Sequence, residues 1–134
     1  MKIEEVEGIG EGTGGTLRGV GIATTDDLLM AAASASGRAK VSEQTGISEH
    51  NLLKWVNRVD LMRIPGVGSE YSDLLEAAGV DSPKELAQRN AANLAQTFQE
   101  LDAARPNWVR RIPSQATVEE WIAAAQAMAG AVSH

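Results

Sequence analysis

The chain has no cysteine, which excludes disulfides, thiolate metal sites and a thiol nucleophile, and fits a reducing compartment. Aromatic residues make up 4% of the sequence against 43% hydrophobic, so the core must be built mainly from Leu, Val, Ile and Ala. Long apolar runs are missing too. The longest, Ile122–Val132, is broken by Gln126 and Gly130 and is too short to span a bilayer. The opening Met1-Lys2-Ile3-Glu4-Glu5 is acidic where a secretory leader would be basic and then apolar; the expected location is the cytoplasm, away from membranes. No window alternates apolar and polar residues long enough to argue a strand. The expected class is all-α.

A surplus of positive charge is also lacking. The net charge is −6, and residues 1–60 and 61–134 each carry 6 basic and 9 acidic side chains. An acidic chain repels polyanions at long range, so contact with nucleic acid would depend on a local patch. One stretch qualifies. Between Ala103 and Val118 lie Arg105, Arg110 and Arg111 with Trp108 among them and no acid, and Arg63 stands further upstream. Guanidinium groups beside an indole can grip a phosphate backbone and stack on a base. The competing reading makes Trp108 a core residue and has the arginines neutralise helix C-termini or pair with surface acids.

What the chain does have is a repetition. Val6-Glu7-Gly8-Ile9-Gly10, Leu17 and Gly21-Ile22 return as Ile64-Pro65-Gly66-Val67-Gly68, Leu75 and Gly79-Val80, with an offset of 58 throughout. A fixed offset across glycines and a leucine points to an internal duplication. The apolar-Gly-apolar-Gly turn between short helices resembles the helix-hairpin-helix motif, whose N–H groups at a helix N-terminus can hold a phosphate. The copies are unequal. Gly12, Gly14 and Gly15 occupy positions that hold Glu70, Ser72 and Asp73 in the second copy, and each glycine costs a helix about 1 kcal/mol relative to alanine. The first helix is therefore expected to fray or to depend on its neighbours. DNA-binding hairpins usually place Lys or Arg after the second glycine. Here Glu11 and Ser69-Glu70 stand there, and the turns could equally just connect packed helices.

Helix signals recur along the chain. Gly21 and Gly79 sit where a helix ends in the left-handed conformation. Ser82-Pro83-Lys84-Glu85 reads as an N-cap, a first-turn proline and a capping-box glutamate, with Thr24-Thr25-Asp26-Asp27 as its counterpart. Ser48 and Thr117 are expected to open the two longest of eight or nine helices. Enzymatic signals are thin. Gly10-Glu11-Gly12-Thr13-Gly14-Gly15 fits a dinucleotide-loop pattern but follows no strand. His50 and His134 make no metal cluster, and the paired acids sit where helix caps put them. No cofactor, metal or catalytic residue is expected.

Thr45–Ser48, Leu52–Ile64, Gly66–Asp81 and Lys84–Asn90, continued by Val109–Ser114 and Val118–Ile122, closely resemble a bacterial family of helical proteins grouped as a domain of unknown function. Members are often described as helix-hairpin-helix proteins and sometimes labelled flap-endonuclease-like. The resemblance implies a shared DNA-contacting module without the nuclease's metal-binding carboxylates, and Glu after the second glycine is typical of it. Its members have an ordinary helix where this chain has Gly12, Gly14 and Gly15, which makes Gly8, Ile9 and Gly10 a secondary, degenerate hairpin site and the second hairpin the main one. The expectation is one domain, 1–134, of two pseudo-repeated helix-hairpin-helix units, 1–59 and 60–134, each followed by a pair of helices. Its expected role is non-catalytic, sequence-independent binding of a nucleic-acid backbone, DNA foremost. Arg63, Gly66, Val67, Gly68, Arg105, Trp108, Arg110 and Arg111 would carry it. The alternative is protein interaction or self-association without nucleic acid.

Overall fold

A computed structural model describes residues 1–128; His134 and the end of the Ile122–Val132 stretch lie outside them. Every regular element among the described residues is helical, apart from an isolated antiparallel bridge between Lys2 and Thr24. No helix there is long and apolar enough to cross a membrane. The chain divides into two compact units, Met1–Asp60 and one that begins at Leu61.

The first unit holds a 3₁₀ turn, Ile3–Glu5, then α1 (Glu11–Arg18), α2 (Thr25–Ala32), α3 (Ala35–Thr45) and α4 (Glu49–Leu61). Thr24 and Asp27 close a full capping box on α2: the Asp27 N–H donates to Thr24 Oγ1, and the Thr24 N–H to Asp27 Oδ2, both at 3.1 Å. Backbone N–H groups, that of Ala23 foremost, hold the Asp27 carboxyl below its ordinary pKa, because they favour its charged form. At the other end of α2, the buried Arg38 donates to the carbonyls of Ala32 and Ala33 at 3.0 and 2.9 Å. Its charge thus satisfies helix-end acceptors that would otherwise lie orphaned.

α1 is helical over eight residues despite its glycines. Its dependence on a neighbour is visible. Arg18 grips Glu4 with two hydrogen bonds of 2.7 Å, tying α1 to the 3₁₀ turn it packs against. The guanidinium holds the Glu4 pKa down at about 2. Gly14 makes room for this pair, since a Cβ there would stand 2.5 Å from Glu4 Oε2, whereas a Cβ on Gly12 or Gly15 would meet nothing within 4 Å. Gly12→Ala and Gly15→Ala are therefore expected to stabilise the chain by about 0.5–1 kcal/mol each. Gly14→Ala should gain less or lose, because it displaces Glu4 from Arg18. Urea unfolding of the three variants checks this, and a destabilising Gly12→Ala would refute it.

The second unit holds α5 (Ser69–Ala77), α6 (Pro83–Ala87), α7 (Ala91–Ala104) and α8 (Gln115–Ala127). Leu61, Ile64, Val67, Leu75, Phe98 and Trp121 are among the members of one buried cluster, with α8 lying against both α6 and α7. Burying each such side chain stabilises the fold by about 1.5–3 kcal/mol. Two expectations need correction. Ser114, not Thr117, caps α8: the Thr117 N–H donates to Ser114 Oγ at 3.2 Å, and the longest described helix is α7. Ser82 caps α6 by accepting the Glu85 N–H at 3.2 Å, but the Glu85 carboxylate turns to Arg89, whose Nε lies 3.2 Å away. A charged donor one turn along outcompetes the cap N–H for that carboxylate.

The turns of the two units make the same backbone hydrogen bonds. Ile9 N–H donates to Val6 O and Val67 N–H to Ile64 O, both at 3.0 Å. Ile22 N–H donates to Leu17 O at 3.0 Å and Val80 N–H to Leu75 O at 2.9 Å. Gly8 and Gly66 have φ of 92° and 89°, Gly21 and Gly79 of 87° and 88°. That left-handed region costs other residues about 1–2 kcal/mol, so glycine holds these turns.

Candidate nucleic-acid interface

Each turn backs onto a tryptophan from the last helix of its unit. A Cβ on Gly8 would stand 3.1 Å from Trp55 Nε1, and a Cβ on Gly66 would stand 3.3 Å from Trp121 Nε1. Trp55 and Trp121 are both buried. In the first unit Arg58, also buried, donates to the Glu7 carbonyl of the same turn. In the second, Trp121 packs on Tyr71 with ring centroids 5.3 Å apart and on Phe98 at 6.5 Å. The turns are thus parts of the core on one side and exposed on the other, where Gly8, Gly10, Gly66 and Gly68 face solvent.

Not every group expected to meet a phosphate can do so. Val67 and Ile9 are buried, and their N–H groups close the turns onto Ile64 and Val6. The amides of Gly66 and Gly68 make no hydrogen bond among the described residues. Gly68 is the N-cap of α5, its carbonyl accepting the Ser72 N–H at 2.9 Å.

The segment after α7 is fixed to α5 by three side chains. Glu70 Oε1 accepts the Arg110 N–H at 2.6 Å. The Tyr71 hydroxyl donates to the Arg111 carbonyl at 2.8 Å. Asp73 Oδ2 accepts the Trp108 Nε1–H at 3.0 Å. Two of these bonds hold backbone, so the guanidinium groups of Arg110 and Arg111 are not consumed by them. Arg105 closes α7 as its C-cap and lies over the Trp108 ring, 4.6 Å from the centroid, a cation–π contact. Asn107 bends the loop with a φ of 67°. Arg105, Arg110 and Arg111 are all exposed, and none is paired with a carboxylate among the described residues. Trp108 is half-buried against the core. Arg63 is exposed, just before the turn.

The structure therefore brings Trp108, Arg110 and Arg111 onto the helix that Gly66–Gly68 opens. Sequence reasoning missed Glu70, Tyr71 and Asp73 as the groups responsible. A signal for the docked segment was present. Ser48, Leu52 and Trp55 correspond to Ser114, Val118 and Trp121 at an offset of 66, eight residues more than the offset of the turns. The first unit links α3 to α4 through Gly46–Ser48, while the second links α7 to α8 through Arg105–Ser114.

Among the described residues no three His, Cys, Asp or Glu side chains gather as a metal site would need. No curated protein and no solved structure matches the chain. The profile of a domain of unknown function, DUF4332, does match, over residues 7–128, and with nearly its whole length covered the chain belongs to the DUF4332 family.

Proposed function

We propose that the second unit is a non-catalytic, sequence-independent binding module for a nucleic-acid backbone, of the helix-hairpin-helix kind. Arg105, Arg110 and Arg111 supply the counter-charge, beside the amides of Gly66 and Gly68 on the adjoining turn. The observation that carries the reading is the state of the arginine segment: its backbone is anchored to α5 while its guanidinium groups stay exposed and without carboxylate partners. Surface arginines that served only to balance acids would sit beside them. Anchored cations reach phosphates with less ordering entropy than cations on a free loop.

The alternative, an interaction module built on apolar hairpin surfaces and a tryptophan face, has less to work with. Trp55 and Trp121 are buried, and Trp108 has Arg105 on its ring and Asp73 on its N–H. The large hydrophobic side chains exposed among the described residues are Met1 and Met30, whereas interaction patches are contiguous.

The test is a fluorescence-anisotropy titration of the chain against labelled single-stranded, duplex and branched DNA at low and moderate salt. Binding that weakens as salt rises is the expected result. No binding at low salt would retire the proposal.

A further inference from the structure

We infer that Glu70 and Tyr71, with Asp73 beside them, are positioning residues for nucleic-acid binding: they hold the arginine segment in its binding conformation and confine the activity to the second unit. The inference rests on the function proposed above. Its starting point is a comparison internal to the chain. At the offset of 58 the counterparts of Glu70, Tyr71 and Asp73 are Gly12, Thr13 and Gly15: the glycines have no side chain to accept a bond, and the Thr13 hydroxyl lacks the reach of a tyrosine's. The first unit also lacks the segment they would hold, since three residues join α3 to α4 where ten join α7 to α8. Clasp and clasped segment are present together in one unit and absent together from the other.

α1 forms its helix without those side chains, so the helix does not require them. What they determine is where residues 108–111 lie. Glu70 and Tyr71 take the N–H of Arg110 and the carbonyl of Arg111, fixing the peptide planes on either side of the two arginines, Val109–Arg110 and Arg111–Ile112. Asp73 fixes the indole on which Arg105 lies. The carboxylate after the second glycine, unfavourable to a phosphate by charge alone, thereby acquires a constructive role.

Charge and positioning predict opposite signs, which makes Glu70 the decisive residue. Removing a carboxylate from an anion site should strengthen binding if charge dominates. If Glu70 positions the segment, Glu70→Ala should weaken binding to a labelled single-stranded oligonucleotide on the order of tenfold, the worth of one charge-assisted hydrogen bond. Glu70→Gln, which keeps an acceptor, should restore binding to the wild-type level or better. Tyr71→Phe keeps the ring on Trp121 and loses only the hydroxyl, and should weaken binding like Glu70→Ala.

Anisotropy titrations of the three variants are read beside amide exchange at Arg110 and the thermal midpoint. Faster Arg110 exchange, weaker binding and a midpoint lowered by only about a few degrees, with the chain still folded at the assay temperature, are the expected results for Glu70→Ala. Wild-type binding with an equal or higher affinity in Glu70→Ala would overturn the inference and leave the proposed function standing. If the wild-type chain binds no DNA, the proposed function fails, and the positioning role fails with it. Loss of Arg110 protection in Glu70→Ala would then mark the clasp as purely structural.

Discussion

Trp121→Ala is expected to destabilise the chain by about 3–5 kcal/mol, the range for deleting a large buried aromatic side chain. That is a fifth or more of a typical domain's stability of about 5–15 kcal/mol. The expectation comes from what the indole touches. Trp121 is 2% exposed, packs a tilted face on Tyr71 of α5 and meets Phe98 of α7 nearly edge-on, with an interplanar angle of 68°. Its Nε1 edge reaches the Gly66 turn. One side chain on α8 therefore ties together two helices and a turn. Each aromatic pair adds about 0.5–1.5 kcal/mol beyond the area it buries. Surrounding groups relax only partly into such a void, so a cavity cost adds to the lost burial. Trp121→Phe should cost less, because a six-membered ring still reaches Tyr71 and Phe98. Urea unfolding followed by far-UV circular dichroism measures both. A loss under about 1 kcal/mol for Trp121→Ala would mean the site collapses easily, and that α8 is not the anchor described.

The parts of this unit that were legible in the sequence are local ones. The all-helical class follows from the lack of alternation, and the turns follow from glycines that recur at one offset and adopt the left-handed conformation at Gly66 and Gly79. Helix starts were readable to within a few residues. Ser114 and Thr117 both offer a cap hydroxyl, and Thr117 lies nearer the apolar run, but it is the earlier serine that accepts the N–H. The arginine segment was legible as a stretch without acids. What holds it was not. Glu70 and Asp73 lie in the first turns of a helix, where acids are expected for the dipole alone. Their partners stand 40 and 35 residues away, and no local pattern carries such a pairing.

The asymmetry between the units has the same origin. Gly12 and Gly15 look like decay when α1 is compared with α5, yet a helix with no segment to clasp needs no side chains there. Gly14 has a separate reason, the Glu4–Arg18 pair. Three glycines that read alike in the sequence thus answer to two different physical causes.

The larger functional effect is expected from Arg110→Gln combined with Arg111→Gln. If Arg105, Arg110 and Arg111 each neutralise one phosphate of a duplex, log K should fall against log salt with a slope of about −2.7. A fourfold rise in salt would then cost the wild-type chain about 40-fold in affinity. With one contact left, the slope should drop to about −0.9 and the same rise should cost only about 3.5-fold. On single strands the slopes should be shallower, about −2.1 and −0.7. The change of slope matters more than the change of affinity, because it counts phosphates and does not respond to a loss of folded protein in the same way. Arg110→Glu goes further and should abolish binding, since it sets a carboxylate against the backbone beside Glu70. Neutral variants with the wild-type slope would show that the phosphates are held elsewhere, and an unchanged affinity in Arg110→Glu would remove this segment from the interface. The net charge of −6 sharpens the contrast. Long-range repulsion leaves little non-specific attraction to mask the loss, so the anchored arginines should account for nearly all of the salt dependence.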